Sequence, residues 1–437
     1  MNFTPLLPIS ANVSPQGVLT IANQDLERLA EQYGTPLYLY DDATIHQQVN
    51  TLQSLLKQAY PGQSLVAYAA KAYFSEGISR KLAAMGLGID VVSLGELELA
   101  LRGGFAPGVL HLHGNNKSEE ELAAALEIHA QAIVVDSLDE LRLLESLAAR
   151  RGKNKARIWL RVTPTVQGHT HAHIDTSGAN SKFGLHIENG QAAEAIRYAR
   201  ASAWLDLVGL HTHLGSQFFE PEIYSEAVHQ LYQLAHSENF QPQEFSPGGG
   251  WGVRYTSADP EDDYAPWLQA VCGVVVAECA HLSWSLPRLI LEPGRSLVGR
   301  AGVALYRVGA QKTTPSGLRI VAVDGGLADN PRHALYQARY TALAVKQANA
   351  SAAGASAARL VGKFCESGDV LIPAVDLPRV ERGDLIAVPV AGAYQLSMAS
   401  NYNLAPRPAV LWLDENGVEL LQKREVPSES GWWRLPE

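Results

Sequence analysis

The run LVAYAAK is apolar until it ends in Lys71. Burying an ammonium is expensive, and a lysine held in an apolar pocket loses its proton more easily and becomes a nucleophile or Schiff-base former. Taken singly, such a lysine more often stretches to solvent, so its company decides. That company is three Gly-rich segments, HLGS, GGG and EPGR, which contain Ser216, Gly249, Gly250, Gly294 and Arg295. Exposed backbone N–H groups in such loops cradle an anion, and a serine hydroxyl and a guanidinium add donors. A phosphate cradle beside a reactive lysine is the chemistry of a phosphate-bearing aldehyde, pyridoxal 5'-phosphate (PLP). Glu292 supplies a carboxylate for the pyridine nitrogen, which makes the ring an electron sink, and His213 supplies a flat ring to lie against it.

A second chemistry competes. HLH (His111, His113), HTH (His211, His213) and HTHAH (His169, His171, His173) place histidines at alternate positions, which share one face of a strand. They invite a metal site, and metal-dependent barrel hydrolases that use such pairs form the remote alternative. No acidic ligand set accompanies them at suggestive spacing.

These residues need a scaffold that brings strand ends together. Between 64 and 297 eight β-branched or apolar runs alternate with helical patterns: LVAYAAK, IDVVS, VLHLHG, AIVVDS, RIWLRVTP, LVGLHTHLG, EFSPGGG and LILEPGR. Eight such units are the size of a closed (β/α)8 barrel, an α/β fold whose chemistry sits at the C-terminal ends of the strands. The runs end in Lys71, in Asp90 and Ser93, in His113 to Asn115, in His213 to Ser216, in Gly248 to Gly250, and in Glu292 with Arg295. After about residue 300 the texture changes to strands joined by Gly, Pro and Asp turns, which predicts a C-terminal antiparallel β domain. The expected division is a lead-in over 1–36 packing with the β domain, a PLP-binding barrel over 37–300, and the β domain over 301–437. An Ala/Ser-rich insert at 349–358 reads as a loop without function.

Composition narrows the partners. The 437 residues carry 35 basic and 45 acidic side chains, a net charge of -10, with no long run of one sign. That balance argues against a nucleic-acid or anionic-membrane binder and for small-molecule substrates. No stretch of about 20 apolar residues offers a membrane span, and the first residues lack a secretory pattern, so a cytoplasmic enzyme is expected. The three cysteines, Cys272, Cys279 and Cys365, form no CxxC pair.

From EQYGTPLYLYD to SNYN the sequence resembles the PLP-dependent decarboxylases of the alanine-racemase-like fold (PLP fold type III), and within them the branch that acts on diaminopimelate. The likeness rests on YAAKA, IDVVSLGELELAL, HLHGNNKS, HTHAHIDTSGANSKFGL, HLGSQ, GGGWG, EPGRSLV, VDGGLADNPRHALY, CESGDVL and GAYQLSMASNYN, in that order. The resemblance implies roles. Lys71 would be the Schiff-base lysine, His213 the ring stacker, and Glu292 the pyridinium partner. Ser216, Gly250 and Tyr394 would be phosphate contacts, with Asp90, Gly249, Gly294 and Arg295 also at the cofactor. Arg295, Arg332, Tyr336, Glu366 and Tyr394 would bind substrate, and Lys71 or Cys365 would return the proton. Cys365 and Glu366 would reach the other subunit's site in a homodimer. The implied reaction takes meso-2,6-diaminopimelate to L-lysine and carbon dioxide, the last step of lysine biosynthesis. The alternatives are decarboxylation of ornithine, lysine or arginine, and a non-catalytic regulatory relative. Two stretches depart from the pattern: Gly325, Ala328, Asn330, Pro331 and His333 differ around Arg332 and Tyr336, and no basic residue follows NYN.

Overall fold

A computed structural model describes residues 5–166, 181–346 and 355–429. Its first long strand, β1 (Leu37–Asp41), is buried along its whole length. A continuous apolar run suits a strand covered on both faces. The eight strands that follow form the barrel: β2 (Ser64–Ala69), β3 (Gly88–Val91), β4 (Leu110–Leu112), β5 (Ala132–Val135), β6 (Ala156–Thr163), β7 (Leu205–His211), β8 (Glu244–Gly248) and β9 (Arg288–Leu291). All pair in parallel, in the order β6-β7-β8-β9-β2-β3-β4-β5, and β5 returns to β6 to close the ring. Each of the eight runs expected from the sequence is one of these strands.

Serines set where several helices begin after the strands. Ser75, Ser93, Ser118 and Ser137 each accept a hydrogen bond from a backbone N–H of the next helix's first turn, filling a donor that would otherwise lack a partner. Ser93, a polar strand end in the sequence, is therefore a helix cap. Trp159 fills the barrel interior with Ala67, Ala132, Val134, Val208 and Ile290. Its Nε1 donates to Glu244 Oε2 at 2.8 Å, and Glu244 also receives Gln131 Nε2 at 2.6 Å and pairs with Arg157 at 3.0 Å. This lock ties together residues at the starts of β6 and β8, at the opposite end from the chemistry, where barrels keep their stability residues.

The chain divides into two compact units. One is Val49–Gly252 with Asp262–Gly294, and the other is Met1–Gln48, Val253–Glu261 and Arg295–Glu437. These bounds differ from the 37–300 block read from the sequence because β1 belongs to the second unit. It pairs antiparallel with β10 (Gly302–Thr313) and parallel with a late strand, Ala409–Asp414. That unit's sheet adds β11 (Arg319–Val323), β12 (Ser356–Val361), β13 (Val370–Leu377), β14 (Leu385–Pro389), β15 (Ala409–Asp414) and β16 (Gly417–Gln422). Its pairings are antiparallel except β1 with β15 and β11 with β12. Its core joins Leu19, Ile21, Leu26 and Leu29 of the lead-in to Leu37, Leu39, Val303, Leu305, Leu385 and Leu411.

Candidate active site

Lys71 lies just past β2 in one 3-10 turn, Ala70–Ala72, and is exposed. The turn is clamped by Tyr68, whose hydroxyl donates to Tyr73 O at 2.7 Å and accepts from Tyr73 N at 3.2 Å. A Cβ on Gly294 would sit 3.0 Å from Ala72 Cβ, so the EPGR loop runs close against this turn.

Glu292 follows β9 and is buried. Its Oε1 accepts from Ser246 Oγ at 2.6 Å, its Oε2 lies 3.0 Å from His211 Nε2, and His113 Nε2 is 3.8 Å away. Burial alone would raise its pKa, but His211 and His113 beside it and the hydrogen bonds from His211 and Ser246 outweigh burial and hold the carboxyl well below the usual range. Burial pushes His211 down to about 4 against the pull of Glu292. At neutral pH the pair is therefore a neutral imidazole donating to a carboxylate. His213, two residues beyond β7, accepts from Gly249 N at 3.3 Å. Burial first, then the charges of Lys71 and Arg161, hold it well below the usual histidine range, so its ring is neutral. Asp90 on β3 is buried, with Oδ1 3.0 Å from His111 Nδ1 and 3.6 Å from His113 Nε2.

The glycines form a cradle of close backbone approaches. A Cβ on Gly250, at φ +100°, would meet Gly215 O at 2.2 Å, and one on Gly249 would meet Glu292 O at 2.1 Å. No side chain fits at either place, and the loops after β7, β8 and β9 thus close on one another beside exposed Ser216.

This unit suits PLP on its own observations. Buried Asp90 Oδ2, His113 Nε2 and His211 Nδ1 have no hydrogen-bond partner among the described residues, so they are open to a polar ligand. Glu292 offers a carboxylate for a ring nitrogen, and the glycine loops suit a phosphate. His113, His211 and Glu292 also bring ligand atoms within 4.8 Å of one another. The carboxylate there is already bonded through both oxygens. The HTHAH motif, His169 to His173, lies outside the described residues.

The second unit gathers another set. Arg295 and Arg332 are buried. Arg295 Nη1 donates to Tyr255 Oη at 2.6 Å, and its guanidinium lies 4.7 Å from the Tyr394 ring centre. Arg332 Nη1 donates to Tyr340 Oη at 2.5 Å, and Arg332 lies 4.9 Å from the Tyr255 ring centre. Tyr336 is not part of this cluster: four residues beyond Arg332 in the same short helix, it is 50% exposed. Cys365 and Glu366 are exposed in the single chain. Their loop is held by Asp369, which accepts from Phe364 N and Leu327 N, both at 2.7 Å.

Sequence reading missed the roles of Ser246, His211, Tyr255 and Tyr340. Ser246 and His211 carried a usable signal, since each lies two residues before a strand-end candidate and so shares its face. Tyr255 and Tyr340 carried none, because only the fold joins GGGWGVRY to the segment after Arg332.

A closed parallel barrel with an ionised carboxylate among histidines, a glycine cradle and a strand-end lysine, together with a separate antiparallel sheet, defines a PLP-dependent decarboxylase of fold type III. Residues 43–299 match the family model described as "Pyridoxal-dependent decarboxylase, pyridoxal binding domain". The chain is 42% identical over 417 residues to the diaminopimelate decarboxylase of Bacillus subtilis, covering 94% of this chain and 93% of that one. It is 37% identical over 432 residues to the diaminopimelate decarboxylase of Synechocystis, covering 96% and 91%. The structure of the diaminopimelate decarboxylase of M. jannaschii in complex with L-lysine superposes with a TM-score of 0.90, at 33% identity and 96% coverage of both chains. The chain belongs to the diaminopimelate decarboxylase family. No helix among the described residues is long and apolar enough to cross a membrane.

Proposed function

We propose that this enzyme decarboxylates meso-2,6-diaminopimelate at its D-configured carbon, releasing L-lysine and carbon dioxide. The observation that carries the substrate is Arg332. It is 6% exposed, its bonded partner is the Tyr340 hydroxyl, and it has no carboxylate partner among the described residues. A buried guanidinium left without an anion is costly, and diaminopimelate differs from lysine by one further carboxylate. Its match to the family's substrate-binding position supports the same reading.

When bound, PLP supplies an aldehyde that takes up an amine and a ring that withdraws electrons from the adjacent carbon. Lys71 would hold the aldehyde through its Nζ. Glu292, kept ionised by His211, His113 and Ser246, would accept the ring N–H. Asp90 orients His111 nearby, and His213, a neutral imidazole, would lie against the ring. Ser216 and the backbone N–H groups of Gly250 and Gly294 would take the phosphate. Arg295 and Arg332 take carboxylates. As the C–C bond breaks, carbon dioxide leaves and the electron pair stays on the α-carbon, which then takes one proton. Lys71 and Cys365 are the two acids assigned to return it.

The enzyme acts as a homodimer in which Cys365 and Glu366 serve the partner's site. Their exposure in the single chain supports this, as do the large exposed apolar side chains Leu335, Tyr402 and Leu404 in the same unit. A working thiol at Cys365 fits the reducing cytoplasm. A decarboxylase of ornithine or lysine is the competing reading: a lysine/ornithine decarboxylase of Vibrio vulnificus shares the fold at a TM-score of 0.72 and 25% identity. Such substrates leave Arg332 without its anion.

The test is direct. Full-length protein with PLP is incubated separately with meso-diaminopimelate, ornithine, lysine and arginine, and carbon dioxide is measured. Release from diaminopimelate in large excess is expected. Faster release from any of the other three would overturn the substrate assignment.

A further inference from the structure

The cluster around Arg332 contains a residue to which no role has yet been given. Tyr255 is 5% exposed and touches both buried guanidinium groups: Arg295 Nη1 donates to its hydroxyl at 2.6 Å, and Arg332 lies 4.9 Å from its ring centre. Tyr340 meets the same ring edge-on at 5.2 Å and 85°. Two buried cations close to one aromatic group repel each other unless something of opposite polarity separates them. The face of a tyrosine ring is negative and its hydroxyl oxygen is an acceptor, so Tyr255 offers a partner to both guanidinium groups. Burial would raise the Tyr255 pKa, yet the charges of Arg295 and Arg332 and their hydrogen bonds to its hydroxyl outweigh burial and lower it.

Tyr255 is also fixed independently of the arginines. Asp259 Oδ2 accepts from Tyr255 N at 3.0 Å and from Thr256 N at 2.8 Å, and Asp259 Oδ1 receives Arg339 Nη2 at 2.7 Å. The backbone at Tyr255 is therefore held by contacts other than those to Arg295 and Arg332.

We propose that Tyr255 is a specificity-determining positioning residue, holding Arg295 and Arg332 as a paired cationic fork for the substrate carboxylate that persists in the product. This rests on the reading of Arg332 given above. L-Lysine and cadaverine differ by that one carboxylate, so the pair isolates its recognition.

Full-length Tyr255→Phe and Tyr255→Leu are loaded with PLP, and the cofactor absorbance is recorded to show that each remains a holoenzyme. KM and kcat for meso-diaminopimelate are measured with inhibition constants for L-lysine and cadaverine. Loss of one charge-assisted hydrogen bond is worth about tenfold. In Tyr255→Phe, KM and the L-lysine constant should therefore rise together by about tenfold, with kcat and the cadaverine constant within about threefold. Tyr255→Leu, which also removes the ring, should move the same two constants further. An unchanged L-lysine constant in both variants, an equal weakening of cadaverine, or a fall in kcat at constant KM would each overturn the proposal. Arg332→Ala in the same assays separates the two readings. If it weakens L-lysine and Tyr255→Phe does not, the role of Tyr255 alone fails. If neither weakens L-lysine, the carboxylate reading of Arg332 fails with it.

Discussion

Arg332→Ala should turn a selective enzyme into a poor and unselective one. The guanidinium is 6% exposed, so solvent screens it little. A carboxylate about 4 Å from it, at an effective dielectric of about 20, gains about 4 kcal/mol. Truncating one member of such a buried pair costs about 2 to 5 kcal/mol in measured cases, which brackets that figure. At about 1.4 kcal/mol per tenfold, kcat/KM for meso-diaminopimelate should fall by about 30- to 4,000-fold. Lysine and ornithine as substrates have no carboxylate at that end and so have nothing to lose; their residual turnover should change by less than about fivefold. Arg332→Lys keeps the charge without the planar fork that binds a carboxylate through two parallel bonds, so it should fall between wild type and alanine. The assay is carbon dioxide release at subsaturating substrate, with cofactor absorbance as the control for intact sites. Equal losses on all substrates would show that Arg332 supports the fold or the chemistry rather than the distal carboxylate, and the reasoning would fail.

Lys71→Ala should remove the borohydride-trapped adduct and nearly all turnover, and a trapped cofactor peptide mapping to another lysine would refute the assignment. Lys71→Ala and Glu366→Ala proteins, each nearly inactive, should regain about a quarter of wild-type activity after subunit exchange, because random pairing of two-fold dimers restores one site in half of them. No recovery despite proven exchange would place both residues in one subunit's site. Burial raises the Asp329 carboxyl from its ordinary value near 3.8 to about 6, against hydrogen bonds from Tyr306 Oη at 2.6 Å, Gly326 N at 2.9 Å and Tyr38 Oη at 3.0 Å. The folded state then binds the proton more tightly than the unfolded one, so this group's favourable contribution is present at low pH and is lost as pH rises through about 4 to 6. Between pH 4.5 and 7 Asp329→Asn should therefore gain about 2 kcal/mol relative to wild type in urea unfolding, and an unchanged difference would rule out this linkage.

The chemistry of the barrel was legible in the sequence because a barrel obeys a local rule. Each strand is a short apolar run, each run delivers its last residues to one end, and so Lys71, His213, Gly249, Gly250 and Glu292 could be read as neighbours before any fold was known. The order of the motifs named the family on the same footing. What the sequence could not decide is what depends on partners distant along the chain. LYLYD looks like one more barrel strand, but its partners are Gly302–Thr313 and Ala409–Asp414, and burial on both faces draws it into the other sheet. Glu292 is a carboxylate because Ser246 and His211, from two other strands, donate to it. Arg332 and Tyr336 look alike as ligands at helical spacing, yet packing buries the first among Tyr255 and Tyr340 and leaves the second half exposed. Local pattern fixes which residues reach a strand end or a helix face. Protonation, pairing and exposure are set by whatever the tertiary structure places opposite them, because desolvation and charge act through space and not along the chain.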